Sequence, residues 1–547
     1  MRLVLAACAV LIVAAAFRPA DDLFFAIKKN LTIFGALYEE LAVGYVDDVD
    51  PEQMMRAGID SMMETLDPYT VFIDEADNVE IDIMTSGRYG GVGINVIQRE
   101  DGRLVVGAVV EGYSAFRQGV RAGDLILQIS GRNTTGMDLS DLGLLLNGEP
   151  GTTVPVRIDR EGEPEPLEFV LTRSEVRVKD VPYAGLLPND AGKRIGYVKL
   201  ERFSRTATGE VRQALTQLQK DDNLDSIILD LRDNPGGLLG AAVDITGLFV
   251  PQGSAVVSTK GRLPQTERTY RSQRPPLVPD APLVVLVNGV SASASEIVAG
   301  AVQDLDRGVI LGETSFGKGL VQIVRPLPYN TSLKMTTSKY YTPSGRSIQS
   351  ITYTHSAADG YAVEVPDSLR SQFQTAGGRL VRDGGGIEPD VRVQRPQLSA
   401  LEQALLRKAA YFQFANTYAA RRDSLPETFE VGDDVLGAFE AWLDAESFSY
   451  RTTTERMIDA LGREVADAGY TETTDEFAAL RMEVAREKNR DFERHDTEIR
   501  EALRAEILAR FHGEQAQIRA SLRHDTQVRA ALDLLLNGER YGTILGG

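Results

Sequence analysis

The spacing of apolar and polar positions changes character three times along this 547-residue chain, and each change marks a candidate domain boundary. Between residues 22 and 46 the apolar residues Phe25, Ile27, Leu31, Phe34, Leu37 and Leu41 recur near the helical period. Asp50-Pro51-Glu52-Gln53 then supplies an N-cap, a proline at the first helical position and a capping-box partner, so a second helix is expected up to about Leu66, stopped by Asp67-Pro68. Met54, Met55, Met62 and Met63 fall on it and are expected to form a packed face, within the chain or against a partner subunit. From about Ser86 to Arg173 the chain turns to short β-branched runs punctuated by glycine. Strands are expected at 94–98, 103–110, 125–129 and 153–158, with a helix over 139–146.

After Pro182 strands and helices alternate. Strands are expected at 194–200, 226–231, 283–287, 309–312 and 333–341, with helices at 206–219, 238–249 and from about Glu296. Such alternation predicts a layered α/β core. Residues 349–384 form a polar insertion, expected to be a surface loop with some structure, and Gly385 to Asp390 closes the core. Beyond Gln397 the chain is charged and helical. Ser399 and Glu402 form a capping box before a helix over 401–420, and further helices are expected over 434–445, 454–468 and 475–503, with more to about Leu536. The expected organisation is an N-terminal segment at 1–20, a helical region at 21–84, a β-rich domain at 85–175, an α/β core at 176–396 and a helical region at 397–547.

Charge and the N-terminus narrow the function classes. A net charge of −20 disfavours nucleic acid as a partner. Met1-Arg2 precedes an apolar run from Leu3 to Phe17 that is short for a membrane span and suits a signal-peptide core or an N-terminal anchor. An extracytoplasmic location, in the periplasm or cell envelope, is therefore expected. The sole cysteine, Cys8, sits in that run, so a processed chain has no thiol for a disulfide, a zinc site or a nucleophile. His495, His512 and His524 lie in the charged helical tail and are expected on solvated faces, and no metal site is expected.

The candidate chemistry lies between Val287 and Gln322. The apolar run 282–287 is followed by Ser291-Ala292-Ser293-Ala294-Ser295 and then by an apolar helix. A serine at such a strand-to-helix turn exposes its hydroxyl beside free helix N–H groups. Serine needs a base, and His355, the one histidine outside the tail, has no motif around it. Lys318, set between Gly317 and Gly319 and preceded by Phe316, is the alternative, because burial lowers a lysine pKa. Phe316 is expected to help dry the site, and the amide of Gln322, four residues on, to orient the neutral amine. Acyl transfer also needs donors for the developing oxyanion. Ala294 N–H is one candidate, and the N–H of Gly236 or Gly237, just past the strand at 226–231, is the other.

Two resemblances sharpen this reading. Tyr89-Gly90-Gly91-Val92-Gly93-Ile94, with Gly119-Val120-Arg121-Ala122-Gly123-Asp124-Leu125-Ile126, is similar to a PDZ domain. There the glycine-rich turn holds a terminal carboxylate and the peptide adds a strand to the sheet edge. Ser291 to Glu296, Phe316 to Gly319, Leu229 to Arg232 with Gly236-Gly237, and Tyr341 to Arg346 resemble the C-terminal processing peptidases, or tail-specific proteases, over roughly residues 25–395. The resemblance implies a ClpP/crotonase-like protease core bearing a PDZ domain, with Ser293 as nucleophile, Lys318 as base and Gln322 as its companion. It implies cofactor-free cleavage of proteins near their C-terminal ends, protein or peptide substrates with exposed C-termini, and an adaptor protein in some members. Ser291 and Ser295 are then structural. A homo-oligomer through the helical ends is compatible with this reading. The alternative is a catalytically inactive PDZ-containing protein that binds peptides or acts as a scaffold.

Overall fold

Six strands form the central sheet, in the order Tyr183–Leu187, Ile195–Lys199, Ser226–Asp230, Leu283–Val287, Val309–Gly312 and Val391–Arg392. The first pair is antiparallel and the others are parallel. The computed structural model describes residues 18–74, 85–99, 101–220, 223–353, 362–470 and 474–546. The apolar run ending at Phe17, with Cys8, and His355 lie outside them. The three inner strands Ser226–Asp230, Leu283–Val287 and Val309–Gly312 are buried at every position, which explains their continuous apolar sequence.

Alternate residues of these strands face two different layers. Ile227, Leu229, Val285, Val287 and Ile310 pack with the helices Ala207–Leu218, Leu239–Thr246 and Ala294–Asp304. Ile228, Val284, Leu286, Val309 and Leu311 pack against Leu522, Val528, Ala531, Leu534 and Tyr541. The last helices of the chain, Thr526–Leu536 and Gly538–Ile544, thus cover the second face of the core sheet.

A second sheet is built around the long strand Ser332–Tyr341, which pairs with Leu320–Pro326, Ala255–Lys260 and Val71–Ile73. Through Val71–Ile73 the N-terminal region reaches the core. The helices before it, Arg18–Gly44 and Pro51–Glu64, form as the periodicity predicts, with Asp50 capping Glu52 and Gln53. Among the described residues the expected methionine face is not fully packed. No residue of Pro51–Glu64 is buried, and Met62 is 51% exposed. Large apolar side chains of the preceding helix, among them Phe24, Phe25, Leu31 and Leu37, are exposed as well. No helix among the described residues is long and apolar enough to cross a membrane.

The β-rich domain has a sheet in the order Ile94–Gln98, Leu104–Val109, Leu125–Ile129, Thr153–Asp159 and Leu167–Thr172. Strict alternation of buried and exposed residues along Thr153–Asp159 marks one face as core. Arg88–Gly91 pairs with Ser174–Arg177, so the entering and leaving linkers are tied together. The 349–384 insertion carries two short hairpins, Ile351–Tyr353 with Ala362–Glu364 and Gln372–Gln374 with Leu380–Arg382.

In the C-terminal region the expected helix over 401–420 is two helices, Ala400–Arg407 and Ala410–Ala419. Ala409 between them is left-handed (φ +49°), which no helix interior tolerates. The expected helix over 475–503 is likewise divided into Thr474–Lys488, Asp491–Arg494 and Asp496–Leu522, the last broken at Gly513. An aromatic cluster of Tyr411, Phe414, Phe439 and Trp442 gives this region its own core.

Candidate active site

The turn after Leu283–Val287 is held by its small residues. Ser291 Oγ donates to Leu231 O (2.8 Å) and Ser295 Oγ to Asn234 O (2.9 Å), and both serines are buried. They staple the 231–234 turn to the serine turn. Ser293 between them is not buried, in a run of buried neighbours, and carries φ +55° and ψ −109°. A non-glycine residue in such a conformation costs roughly 1–3 kcal/mol, and the surroundings must hold it there.

Glu296 does so. Its carboxylate is completely buried and accepts four hydrogen bonds. Oε2 takes the backbone N–H of Ser293 (2.7 Å) and of Lys318 (2.9 Å). Oε1 takes Ser315 Oγ and the N–H of Gly317, both at 2.6 Å. One oxygen therefore fixes the backbones of both candidate dyad residues, which are 25 positions apart in sequence. Burial pushes the Glu296 pKa up to about 7, against the pull of the four donors. Sequence reasoning missed this role. The signal was a lone carboxylate at the start of an otherwise apolar helix, where a solvent-exposed cap would be the ordinary reading.

Lys318 is half-buried. Burial, followed by the neighbouring Lys334 charge, pushes its pKa down to about 8, while Glu296 and Asp67 oppose the shift. Its Nζ lies over the ring of Tyr69, 4.4 Å from the centroid. Among the described residues it makes no hydrogen bond, so Ser293 Oγ and Lys318 Nζ are not joined in this conformation. Gln322 does not meet the amine either. Its Nε2 donates to Thr336 Oγ1 (3.3 Å), which donates in turn to Asp67 Oδ1 (3.1 Å). Phe316, expected to dry the lysine, is 45% exposed. Part of that cover comes instead from Tyr69, which the strand Val71–Ile73 delivers from the N-terminal region.

The glycine turn lies directly against the serine. A Cβ on Gly236 would come within 2.9 Å of Ser293 Cβ and of Ala294 N, and its φ is +103°, so only glycine fits. Its N–H is not available to a substrate, because it donates to Asn234 Oδ1 (2.9 Å). Gly237 and Ala294 differ: among the described residues neither N–H has an acceptor. The N–H groups of this turn open to a substrate are therefore those of Gly237 and Ala294.

In the β-rich domain, Tyr89 to Gly91 belong to the linker ladder, Val92 is buried, and Gly93 (φ +83°) turns the chain into Ile94. A Cβ at Gly93 would meet Tyr113 Cβ at 2.4 Å. Among the described residues Ile94–Gln98 is an edge strand paired on one side only, with Leu104–Val109, and the helix Leu139–Leu146 packs near it. Among the described residues the N–H groups of Val92 and Gly93 have no acceptor. An open edge beside unpaired N–H groups can take an extended peptide ending in a carboxylate. The tail histidines are elsewhere and partnered: His512 Nε2 meets Leu425 O at 2.7 Å, while His495 and His524 lie near Glu402 and Glu501. No group of metal-ligating side chains occurs among the described residues.

Three family descriptions match parts of the chain. "Peptidase family S41" matches residues 194–357, "PDZ domain" residues 105–160, and "Probable PDZ-protease, C-terminal helical domain" residues 401–535. The carboxy-terminal-processing protease of Bartonella bacilliformis is 37% identical over 329 residues, covering 60% of this chain and 74% of its own. The chain belongs to the carboxy-terminal-processing proteases of peptidase family S41. The carboxyl-terminal-processing protease of Synechocystis sp. is also 37% identical, over 54% of this chain and 68% of its own. Among solved structures, the photosystem II D1 C-terminal processing protease aligns over 66% of this chain and 92% of its own, at 28% identity and a TM-score of 0.35. This carboxy-terminal-processing protease is thus a serine-type peptidase with an α/β core, a PDZ domain and a helical C-terminal region.

Proposed function

We propose that this chain is a Ser/Lys-dyad endopeptidase that binds substrate C-termini through its PDZ domain and cleaves extracytoplasmic proteins near their C-terminal ends. The observation that carries the reading is the shared Glu296 Oε2, which ties Ser293 and Lys318 to one atom. In the reaction, Lys318 leaves Tyr69 and takes the proton of Ser293 Oγ as the hydroxyl attacks the scissile carbonyl. Gly237 N–H and Ala294 N–H hold the oxyanion, each worth about 3 kcal/mol of barrier. The ammonium then returns its proton to the leaving amine, and water, deprotonated by the same amine, releases the acyl group. Gln322 donates through Nε2 to Thr336, which leaves its Oε1 as the atom that would accept from the amine.

The PDZ edge strand would hold the substrate's last residues, with the N–H groups of Val92 and Gly93 on its carboxylate. The extracytoplasmic location rests on the apolar run at the N-terminus. The exposed apolar side chains of Arg18–Gly44 favour a homo-oligomer through that end, and an adaptor protein is a further candidate partner.

The test is cleavage of a peptide with a free C-terminus by wild type, Ser293→Ala and Lys318→Ala, together with labelling by a serine-reactive phosphonate. Cleavage and labelling lost in Ser293→Ala support the dyad. Binding of the peptide without cleavage by wild type would favour a non-catalytic receptor.

A further inference from the structure

We propose that Asp525, in the C-terminal helical region, is a positioning residue for the glycine turn that presents the Gly237 N–H. This rests on the reading of that turn as the oxyanion site.

The starting point is Arg232, which is only 4% exposed and lies just past the strand Ser226–Asp230. Its Nε and Nη2 are taken by the fully buried Asp230, at 2.5 to 3.0 Å. Asp230 also accepts from Tyr197 Oη (2.6 Å) and from Arg232 N (3.0 Å). Burial pulls the Asp230 pKa up, but the Arg232 charge and hydrogen bonds pull it down further, so the pair is ionised. Nη1 remains. It crosses to the tail, meeting Asp525 Oδ2 at 2.8 Å, Asp525 Oδ1 at 3.0 Å and Gln527 Oε1 at 2.9 Å. These partners are more than 290 positions away in sequence. Gln527 is itself anchored by its Nε2 on Val393 O (2.7 Å).

The turn that follows Arg232 is held by hydrogen bonds at successive residues. Asp233 is left-handed (φ +65°), and its N–H donates to Asn288 Oδ1. Asn234 spans from Leu200 O, through its Nδ2, to the N–H of Gly236. Its carbonyl receives Ala292 N–H and Ser295 Oγ, on either side of the nucleophile. Along the backbone, Arg232 stands at the start of this turn and Gly237 at its end. Without Asp525, a buried guanidinium would keep its inner carboxylate but lose the charge that holds its outer nitrogen. Relaxation of Arg232 would then move the start of the turn, and a shift of about 1 Å at a catalytic group costs up to about a hundredfold in rate. The C-terminal helices thus support the chemistry as well as covering the sheet.

Asp525 also caps the helix Thr526–Leu536, through Gln527 N and Val528 N. The informative variant is therefore Asp525→Asn, because asparagine caps a helix as well as aspartate does. Two measurements on the full chain decide. In peptide hydrolysis, Asp525→Asn is expected to lower kcat about tenfold with KM and the melting temperature nearly unchanged, and Asp525→Glu is expected to recover part of the loss. In amide hydrogen exchange, a peptide spanning 232–238 is expected to exchange severalfold faster in Asp525→Asn, while the helix Thr526–Leu536 stays protected. Wild-type kcat in Asp525→Asn, or unchanged exchange of that peptide, overturns the proposal. Failure of the functional reading is seen separately, as hydrolysis absent in wild type or surviving in Ser293→Ala. The exchange measurement then still decides whether Asp525 holds the turn.

Discussion

Lys318 Nζ rests on the face of Tyr69, 4.4 Å from the ring centroid, and this contact bears on the proposed base from outside the α/β core. An aromatic face attracts the charged ammonium, by about 1 kcal/mol or somewhat more when partly desolvated. It therefore opposes the neutral amine that the reaction needs. Tyr69 also marks where the amine sits when it is away from Ser293. Replacement by an apolar side chain without a ring, Tyr69→Leu, removes the aromatic face and keeps part of the cover. The acid limb of the pH profile of kcat/KM is expected to move to lower pH, by up to about one unit. An unmoved limb would mean that the ring contact does not govern the base.

The lowered pKa of Lys318 sets the wild-type profile. With a pKa near 8, the neutral fraction rises about fivefold between pH 7 and 8, and kcat/KM is expected to rise with it. The same shift has a stability consequence of definite sign. The folded value lies below the ordinary 10.5, so the unfolded chain holds more protons between pH 8 and 10.5, and stability increases with pH across that window. Below it the folded protein carries a charge in a half-dry place. Lys318→Met is accordingly expected to abolish hydrolysis and to raise the melting temperature at pH 7, with the advantage shrinking above pH 8. Melting curves at pH 7 and 10 check this.

Glu296→Gln tests the carboxylate that joins the two loops. Whichever way the amide is turned, its NH2 faces a backbone N–H already aimed at that position, either Gly317 or the pair Ser293 and Lys318. A loss of about 2–4 kcal/mol in stability and at least about a hundredfold in kcat is expected, read by denaturant unfolding and steady-state kinetics. Near-normal kcat would show that the dyad keeps its geometry without the shared oxygen.

The PDZ groove predicts dependence on the substrate's own terminus. A charge-assisted hydrogen bond is worth about 1.5–3 kcal/mol, so replacing a peptide's C-terminal carboxylate by an amide should raise KM at least about tenfold. Gly93→Val, which places a side chain against Tyr113, should raise KM for the free acid and narrow the difference between the two peptides. Equal KM values for acid and amide with wild type would remove the groove from substrate selection.

Much of this architecture can be read directly from the residues. The strand at 283–287, the helix at 139–146 and the edge strand at 94–98 form where their patterns place them, because each is a local consequence of side-chain period and turn chemistry. The break at Ala409 was not legible: its left-handed backbone leaves no mark in a run of good helix formers. The methionine face of Pro51–Glu64 looked like core because its spacing is apolar, but the described residues bury none of it fully.

The sequence by itself determined the layered core, the PDZ-like order of strands and the candidates Ser293 and Lys318, since these depend on neighbours a few positions apart. Only the tertiary structure decided that Gly236 N–H is consumed by Asn234, that Gln322 turns to Thr336, that Tyr69 covers the lysine and that Asp525 reaches Arg232. The reason is physical. A hydrogen-bond donor or a buried charge takes the partner that folding brings within about 3 Å, and that partner need not be near it in the chain.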